Sequence, residues 1–266
     1  MRMRINAGVR SDVGSYRAVN QDAAFSTPFA AAVADGVGGG PSGDLASAAI
    51  VHKLITLRGV LPSAENLVER LRAANWDIGA HVRRDAALAG MASTLTGVWL
   101  TADDLVLAHT GDSRAYLLRS GRFTRQTRDD SYVQALVDRG LVRPEDAWTH
   151  PRRNIITASF GGHDDDTVRV ETRDAVIGDR WFLCSDGVTD YVPEEAIAAL
   201  LVGITDPATA AQAVVDLAIE ACSRDNVTAV VCDIDAGTPD ADAVPVIAGA
   251  AAQRWPEVIE AGLASA

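Results

Sequence analysis

Aspartates stand at the ends of apolar runs in this chain, where an ionised carboxylate is costly unless something pairs with it. Asp35 closes FAAAVA and is followed by Gly36. Asp186 closes WFLCS and is followed by Gly187. Asp112 lies in HTGDSR between two strand-like segments, Asp225 precedes Asn226 at the entry to VTAVVCDI, and Asp22 ends RAVNQD. Converging carboxylates raise one another's pKa unless a divalent cation sits between them. Only oxygen donors are on offer, which suits Mg2+ or Mn2+ over Zn2+. Arg17, in SYRAVNQD, carries a planar fork that suits a phosphate group beside such a site. Taken singly, each position also reads blandly, because Asp-Gly is a common turn dipeptide and most arginines are solvated. Four aspartates at strand ends are harder to attribute to turns.

Other motifs are weaker. Gly38, Gly40 and Gly43 fit G-x-G-x-x-G between a strand and a helix, with Glu65 further on, the form of a dinucleotide fingerprint. Pro41 inside that turn and Asp35 at its mouth argue against a pyrophosphate there. No Lys follows the glycines, so a P-loop is excluded. The five histidines form no HExxH pairing, and the three cysteines (Cys184, Cys222, Cys232) form no CxxC pair, which disfavours zinc and a disulfide framework.

These residues need elements to position them. FAAAVA reads as a buried strand, and residues 44–58 as a helix with Leu45, Ala49, His52 and Ile55 on one face. Pro62 and Ser63 open a second helix in which Leu67, Leu71, Ala74, Ile78 and Val82 recur at helical spacing. TLTGVWLTA, LVLAHT and RAYLLR read as hairpin strands, the last closing at Ser120-Gly121. Residues 131–139 form a short helix and 140–162 a long surface loop. Strands TVRVET and RWFLC, helices from near Pro193 and from Asp206-Pro207, and strand VTAVVCDI follow. Hairpin strands with helices grouped between them predict an α+β fold with antiparallel sheets. The globular domain is expected over residues 1–235. Residues 236–266, rich in Ala, Asp and Pro, are expected to be a loose tail with a short helix around Trp255.

With 266 residues the chain can bury a full core as one unit. A net charge of −12 argues against nucleic acid or an anionic membrane surface as partner. The N-terminus has no apolar signal-peptide core, and no apolar run approaches the roughly 18 residues of a membrane span. A cytoplasmic monomer is the expectation.

Taken together, SDVGSYRAVNQD (11–22), VADGVGGGPSGDLAS (33–47), GMASTLTGVWL (90–100), LAHTGDSRAYLL (107–118), RWFLCSDGVTD (180–190) and RDNVTAVV (224–231) resemble the bacterial metal-dependent serine/threonine protein phosphatases, the PPM or type 2C family. The segments occur in family order over roughly residues 5–234. The resemblance implies a four-layer αββα sandwich, two antiparallel sheets flanked by helix pairs, with metals in a cleft at one end. It implies that Asp35 bridges two Mn2+ or Mg2+ ions, that the Gly36 carbonyl binds one of them, and that Asp186 and Asp225 complete the other's shell. Asp22 would hold the ions' water, Asp112 with Asp186 would offer a weaker third site, and Arg17 would clamp the substrate phosphate. The implied reaction is hydrolysis of phosphoserine and phosphothreonine by a hydroxide bridging the two ions. Residues 140–162 fall where bacterial members carry a flap beside the site.

Two departures stand out. Gln21 occupies the place of a frequent glutamate, and Val37 that of a histidine proposed as general acid in animal members. His109 and His163 are the alternative proton donors, with structural roles the favoured reading for both, as for Cys184. The implied substrates are Ser/Thr kinases and their targets, or a phosphorylated anti-sigma antagonist, in bacterial signal transduction. The rival readings are a pseudophosphatase that docks phosphoproteins without turnover, and the nucleotide-binding oxidoreductase.

Overall fold

The computed structural model describes residues 2–37, 42–57, 59 and 63–254. In chain order the elements are β1 (Met3–Asp12), β2 (Asp22–Ser26), β3 (Ala30–Asp35), α1 (Gly43–Ile55), α2 (Ala64–Arg84), β4 (Leu95–Leu100), β5 (Asp104–Thr110), β6 (Arg114–Arg119), β7 (Arg122–Arg125), α3 (Tyr132–Asp138), β8 (Arg169–Asp174), β9 (Arg180–Cys184), α4 (Asp186–Thr189), α5 (Glu194–Gly203), α6 (Pro207–Glu220), β10 (Val227–Ala236), β11 (Val246–Gly249) and α7 (Ala250–Gln253). One sheet has the order β1-β10-β9-β6-β7 and the other β11-β2-β3-β4-β5-β8. Every pairing between these strands is antiparallel.

Three apolar layers hold the four layers of structure together. Between the sheets, Ala31, Val33, Val98 and Leu107 meet Leu117, Trp181, Leu183 and Val230. On the outer face of the second sheet, Ala30, Ala32 and Ala34 of β3 face α1 and α2. On the outer face of the first, Phe182, Ala229 and Val231 pack on α5 and α6. β3 therefore buries both its faces, which is why FAAAVA shows no polar alternation. In α2, Leu67, Leu71, Ala74 and Ile78 are buried at the predicted spacing. Truncating a fully buried leucine such as Leu71 to alanine costs about 2–5 kcal/mol. Ser120 and Gly121 both take positive φ, the two-residue turn that matches the twist of a hairpin.

The antiparallel sheets displace the dinucleotide reading, which needs a parallel βαβ unit. Gly38, Gly40 and Pro41 lie outside the described residues. Two further expectations change. β1 was not legible, because Arg4, Asn6 and Arg10 break its apolar run although it pairs with β10 along its whole length. The loose tail from residue 236 is also corrected, since Val246–Gly249 pairs with β2 and Ala250 and Ala251 are fully buried. Small apolar residues there fit a shallow site on α1 that the surrounding Asp and Pro obscured. The expected division at residue 235 thus falls inside the sandwich. A short helix, α7, precedes Trp255, which is outside the described residues.

Candidate metal centre

The antiparallel register of β2 and β3 puts Asp22 directly opposite Asp35 at the end of one sheet. In the facing sheet, Asp186 follows β9 and Asp225 precedes the neighbouring β10. Asp112 sits in the connection between β5 and β6, which crosses from one sheet to the other. Five candidate carboxylates from distant parts of the sequence thus gather at one end of the sandwich.

Their electrostatics show the crowding. Burial, then the Asp22, Asp186, Asp112 and Asp225 charges, hold the Asp35 carboxyl well above the usual carboxylate range. Burial, then Asp112, Asp190, Asp225 and Asp22, do the same to Asp186. Asp112 is pushed up to about 7, by burial and by Asp129 and Asp190. Asp22 is pushed up to about 6 by burial, against the lowering effect of hydroxyls from Thr228 and Ser185. Asp35, Asp112, Asp186 and Asp225 all keep part of their surface exposed. As the side chains stand, no three acidic, His or Cys groups among the described residues close on a single point. Asp225 is engaged by Arg17, whose Nη2 donates to Asp225 Oδ2 at 2.7 Å. The donor set is nevertheless all oxygen, with concentrated negative charge, and so fits hard divalent cations. Asp35, Asp186, Asp225 and the Gly36 carbonyl could hold such ions, with Asp112 beside Asp186.

Backbone contacts explain why glycine follows two of these aspartates. A Cβ on Gly36 would lie 2.2 Å from the Gly43 carbonyl oxygen, and one on Gly187 would lie 1.9 Å from that of Asn226. Neither glycine has positive φ, so close approach rather than a turn requires it.

Polar side chains that the sequence did not flag fix the frame. Asp22 Oδ2 accepts from Ser185 Oγ and Thr228 Oγ1, each at 2.7 Å. With its proton committed to Asp22, Thr228 must accept from Ser11, which in turn accepts from Asn20 Nδ2. Buried Asn226 accepts from the Gln21 N–H at 2.8 Å and donates to the carbonyls of Val13 and Val19. The loop carrying Arg17, Gln21 and Asp22 is thereby stapled to the start of β10.

Opposite this frame lies a cleft of about 370 Å³, with Asp112, Asp186 and Asp190 on one wall. Val133, Val137, Pro144 and Trp148 of α3 and the expected flap form the other wall. Asp190, another residue missed in the sequence, accepts from Arg153 Nε at 2.8 Å and so ties the flap to the site. Asp129, paired with Arg114 at 2.8 Å and with Arg125, is held below the ordinary carboxylate range by those guanidiniums despite its burial. His109 is 3% exposed and bonded to Thr96 Oγ1 and the Arg128 carbonyl, a satisfied core position. His163 lies on a turn packed by Asn75 of α2, whose Nδ2 donates to the His163 carbonyl. Cys184 is buried in the layer beneath α5 and α6, its thiol pushed up by burial.

The protein phosphatase 2C family model matches residues 15–220. A serine/threonine protein phosphatase PstP of Mycobacterium tuberculosis is 39% identical over 247 residues, covering 91% of this chain and 47% of the relative. The chain thus spans about half the length of that relative. The crystal structure of the M. tuberculosis serine/threonine phosphatase PstP/Ppp superimposes with a TM-score of 0.84 at 38% identity, covering 88% of this chain and 100% of that one. A crystal structure of the catalytic domain of a serine/threonine protein phosphatase PstP in complex with two manganese ions gives a TM-score of 0.81 at 36% identity, with 88% and 100% covered. The family model spans more than half of the chain, and the chain belongs to the protein phosphatase 2C family.

Proposed function

We propose that this chain is a metal-dependent phosphatase that hydrolyses phosphoserine and phosphothreonine in proteins. The observation that carries the reading is the meeting of Asp22 and Asp35 from one sheet with Asp186 and Asp225 from the other. Support comes also from the relatives, which are named serine/threonine phosphatases, and from the two manganese ions in the PstP catalytic domain. Asp35, the Gly36 carbonyl, Asp186 and Asp225 would hold two Mn2+ or Mg2+ ions. Asp112 and Asp186 offer a weaker third position. Bound there, the cations would acidify a water and draw charge from the phosphoryl oxygens.

The chain's own residues do the rest. Asp22, held by Ser185 and Thr228, presents a fixed acceptor that orients water at the centre. Arg17, partly exposed at the rim, turns its guanidinium from Asp225 to a phosphate oxygen, a charge-assisted contact that positions the phosphoryl group. Val37 supplies no proton, His109 is sequestered in the core and His163 lines a separate pocket against α2, so solvent protonates the leaving oxygen. The acidic walls suit a cation-loaded site and the open cleft suits an exposed protein segment. Substrates are phosphorylated kinases and their targets, or a phosphorylated anti-sigma antagonist, met in the cytoplasm.

The test is hydrolysis of an aryl phosphate and of a phosphothreonine peptide, titrated with Mn2+ and then with EDTA, beside Asp35→Asn. Turnover that requires Mn2+, disappears with chelator and is lost in the variant is expected. Absence of turnover at every metal concentration, in folded protein that still binds phosphoproteins, would replace catalysis by docking.

A further inference from the structure

The segment after β10 is built into the site's frame, although it lies beyond the stretch matched by the family model. β11 pairs with β2 from Val246 opposite Ser26 to Gly249 opposite Ala23, one residue short of Asp22. At Gly249 (φ +67°) a Cβ would lie 2.1 Å from the Asp22 carbonyl oxygen and 2.9 Å from Ser11 Oγ, so the chain turns directly against the Asp22 backbone. Ala250 and Ala251 then bury themselves against α1, with the Ala251 backbone beside His52. Arg254 Nε finally donates to Asp44 Oδ2 at 2.5 Å.

Asp44 stands in the first turn of α1, and its side chain is only 10% exposed. That turn is the other shim of the site. Gly43 packs on the backbone of Gly36, and Ser47 Oγ donates to the Gln21 carbonyl at 2.6 Å. The same Gln21 carbonyl accepts from the Gly36 N–H at 3.1 Å. Residues 246–254 therefore touch the centre twice, directly at Asp22 and through α1 at Gly36.

We propose that residues 246–254 brace the metal-holding end of the second sheet, with Arg254 as a positioning residue that acts through Asp44; the proposal rests on the metal-centre reading above. Arg254 reaches no reacting atom. It fixes the axial position of α1, and with it the Gly36 carbonyl relative to Asp35 and Asp22. Loss of the guanidinium leaves Asp44 a buried carboxylate without this partner, which favours a shift of the first turn toward water.

The experiment measures Mn2+ binding to the full chain by calorimetry, beside Tm in EDTA, for wild type, Arg254→Ala, Arg254→Lys, Asp44→Asn and the double variant Arg254→Ala/Asp44→Asn. Arg254→Ala is expected to weaken Mn2+ binding about three- to tenfold, less than the roughly ten- to hundredfold lost with a direct partner of a ligand, because Arg254 acts through Asp44 and α1. Arg254→Lys should recover most of the affinity, and the double variant should be no worse than either single change, the sign of one shared interaction. Should Arg254→Ala fail to fold, Arg254→Gln keeps the three-carbon stem and a neutral N–H donor without the charge and is read the same way. A lowered Tm with unchanged Mn2+ affinity would overturn the brace and leave a purely structural tail. Wild type that binds Mn2+ beside an equally competent Arg254→Ala would defeat the brace alone. Wild type that binds no Mn2+ would remove the metal-centre reading and the brace with it.

Discussion

Arg17 Nη2 lies 2.7 Å from Asp225 Oδ2, so the proposed phosphate clamp and a proposed metal ligand share one ion pair. Both partners are partly exposed, and such pairs contribute no more than about 1 kcal/mol to stability. A charge-assisted contact to phosphate contributes about 1.5–3 kcal/mol, roughly ten- to a hundredfold in binding. Arg17→Ala should therefore raise KM for a phosphopeptide by that factor, with a smaller change in kcat and little change in Tm. Steady-state kinetics at saturating Mn2+ provide the check, and an unaltered KM would remove Arg17 from phosphate binding.

Asp35→Asn and Asp186→Asn should each slow turnover at least about a hundredfold, the scale of losing one pre-organised transition-state contact. Each change also takes one negative charge out of a crowded set, so the metal-free variants should melt no lower than wild type. Near-normal turnover by Asp186→Asn would refute its place at the centre.

Stability without metal should depend on pH through the same crowd. Asp22 and Asp112 have folded pKa values of about 6 and about 7, against an ordinary value near 3.9. A carboxyl raised in this way is folded most favourably while protonated. Its contribution is complete below pH about 4 and is lost as pH rises through 6 to 7. In EDTA, wild type should therefore lose Tm relative to Asp112→Asn across that window. Mn2+, which needs ionised ligands, should raise wild-type Tm more at pH 7.5 than at pH 5. Parallel melting curves for the two proteins in EDTA would mean that Asp112 carries no such strain.

Asn226→Ala removes three hydrogen bonds that staple residues 13–21 to β10. Losing these part-buried hydrogen bonds should cost about 2–3 kcal/mol, several degrees in Tm for a domain of this size. Because the freed loop carries Arg17 and leads directly into Asp22, KM should rise as well. Thermal melts paired with kinetics separate this from a simple stability defect, in which KM would stay fixed.

The aspartates were legible because each ends an apolar run, a pattern that survives without knowledge of the fold. Their supports were not. Ser185, Thr228 and Ser11 matter only because β9, β10 and β1 are neighbours, and sheet order is a long-range fact that no local pattern encodes. Asp190 lies four residues past Asp186, inside a segment that reads as the approach to a helix, and its role appears only through Arg153 on the flap. β7, with the sequence RFTR, is too polar and short to stand out, and owes its existence to the Ser120-Gly121 turn beside β6. The helices were readable where one face is buried, as in α2.

Asp22 belongs to one sheet, and the hydroxyls that hold its carboxylate come from the other side, Thr228 on β10 and Ser185 directly after β9. The open end of the sandwich is therefore a seam, closed by hydrogen bonds across the gap and, in the proposed metal-loaded state, by ions that carboxylates from both sides would hold. Sheet spacing in the core and cation grip at the rim become one mechanical quantity. A substitution far inside the layer, such as Trp181 against Val98, would be sensed at the rim as altered ion retention before any strand came apart.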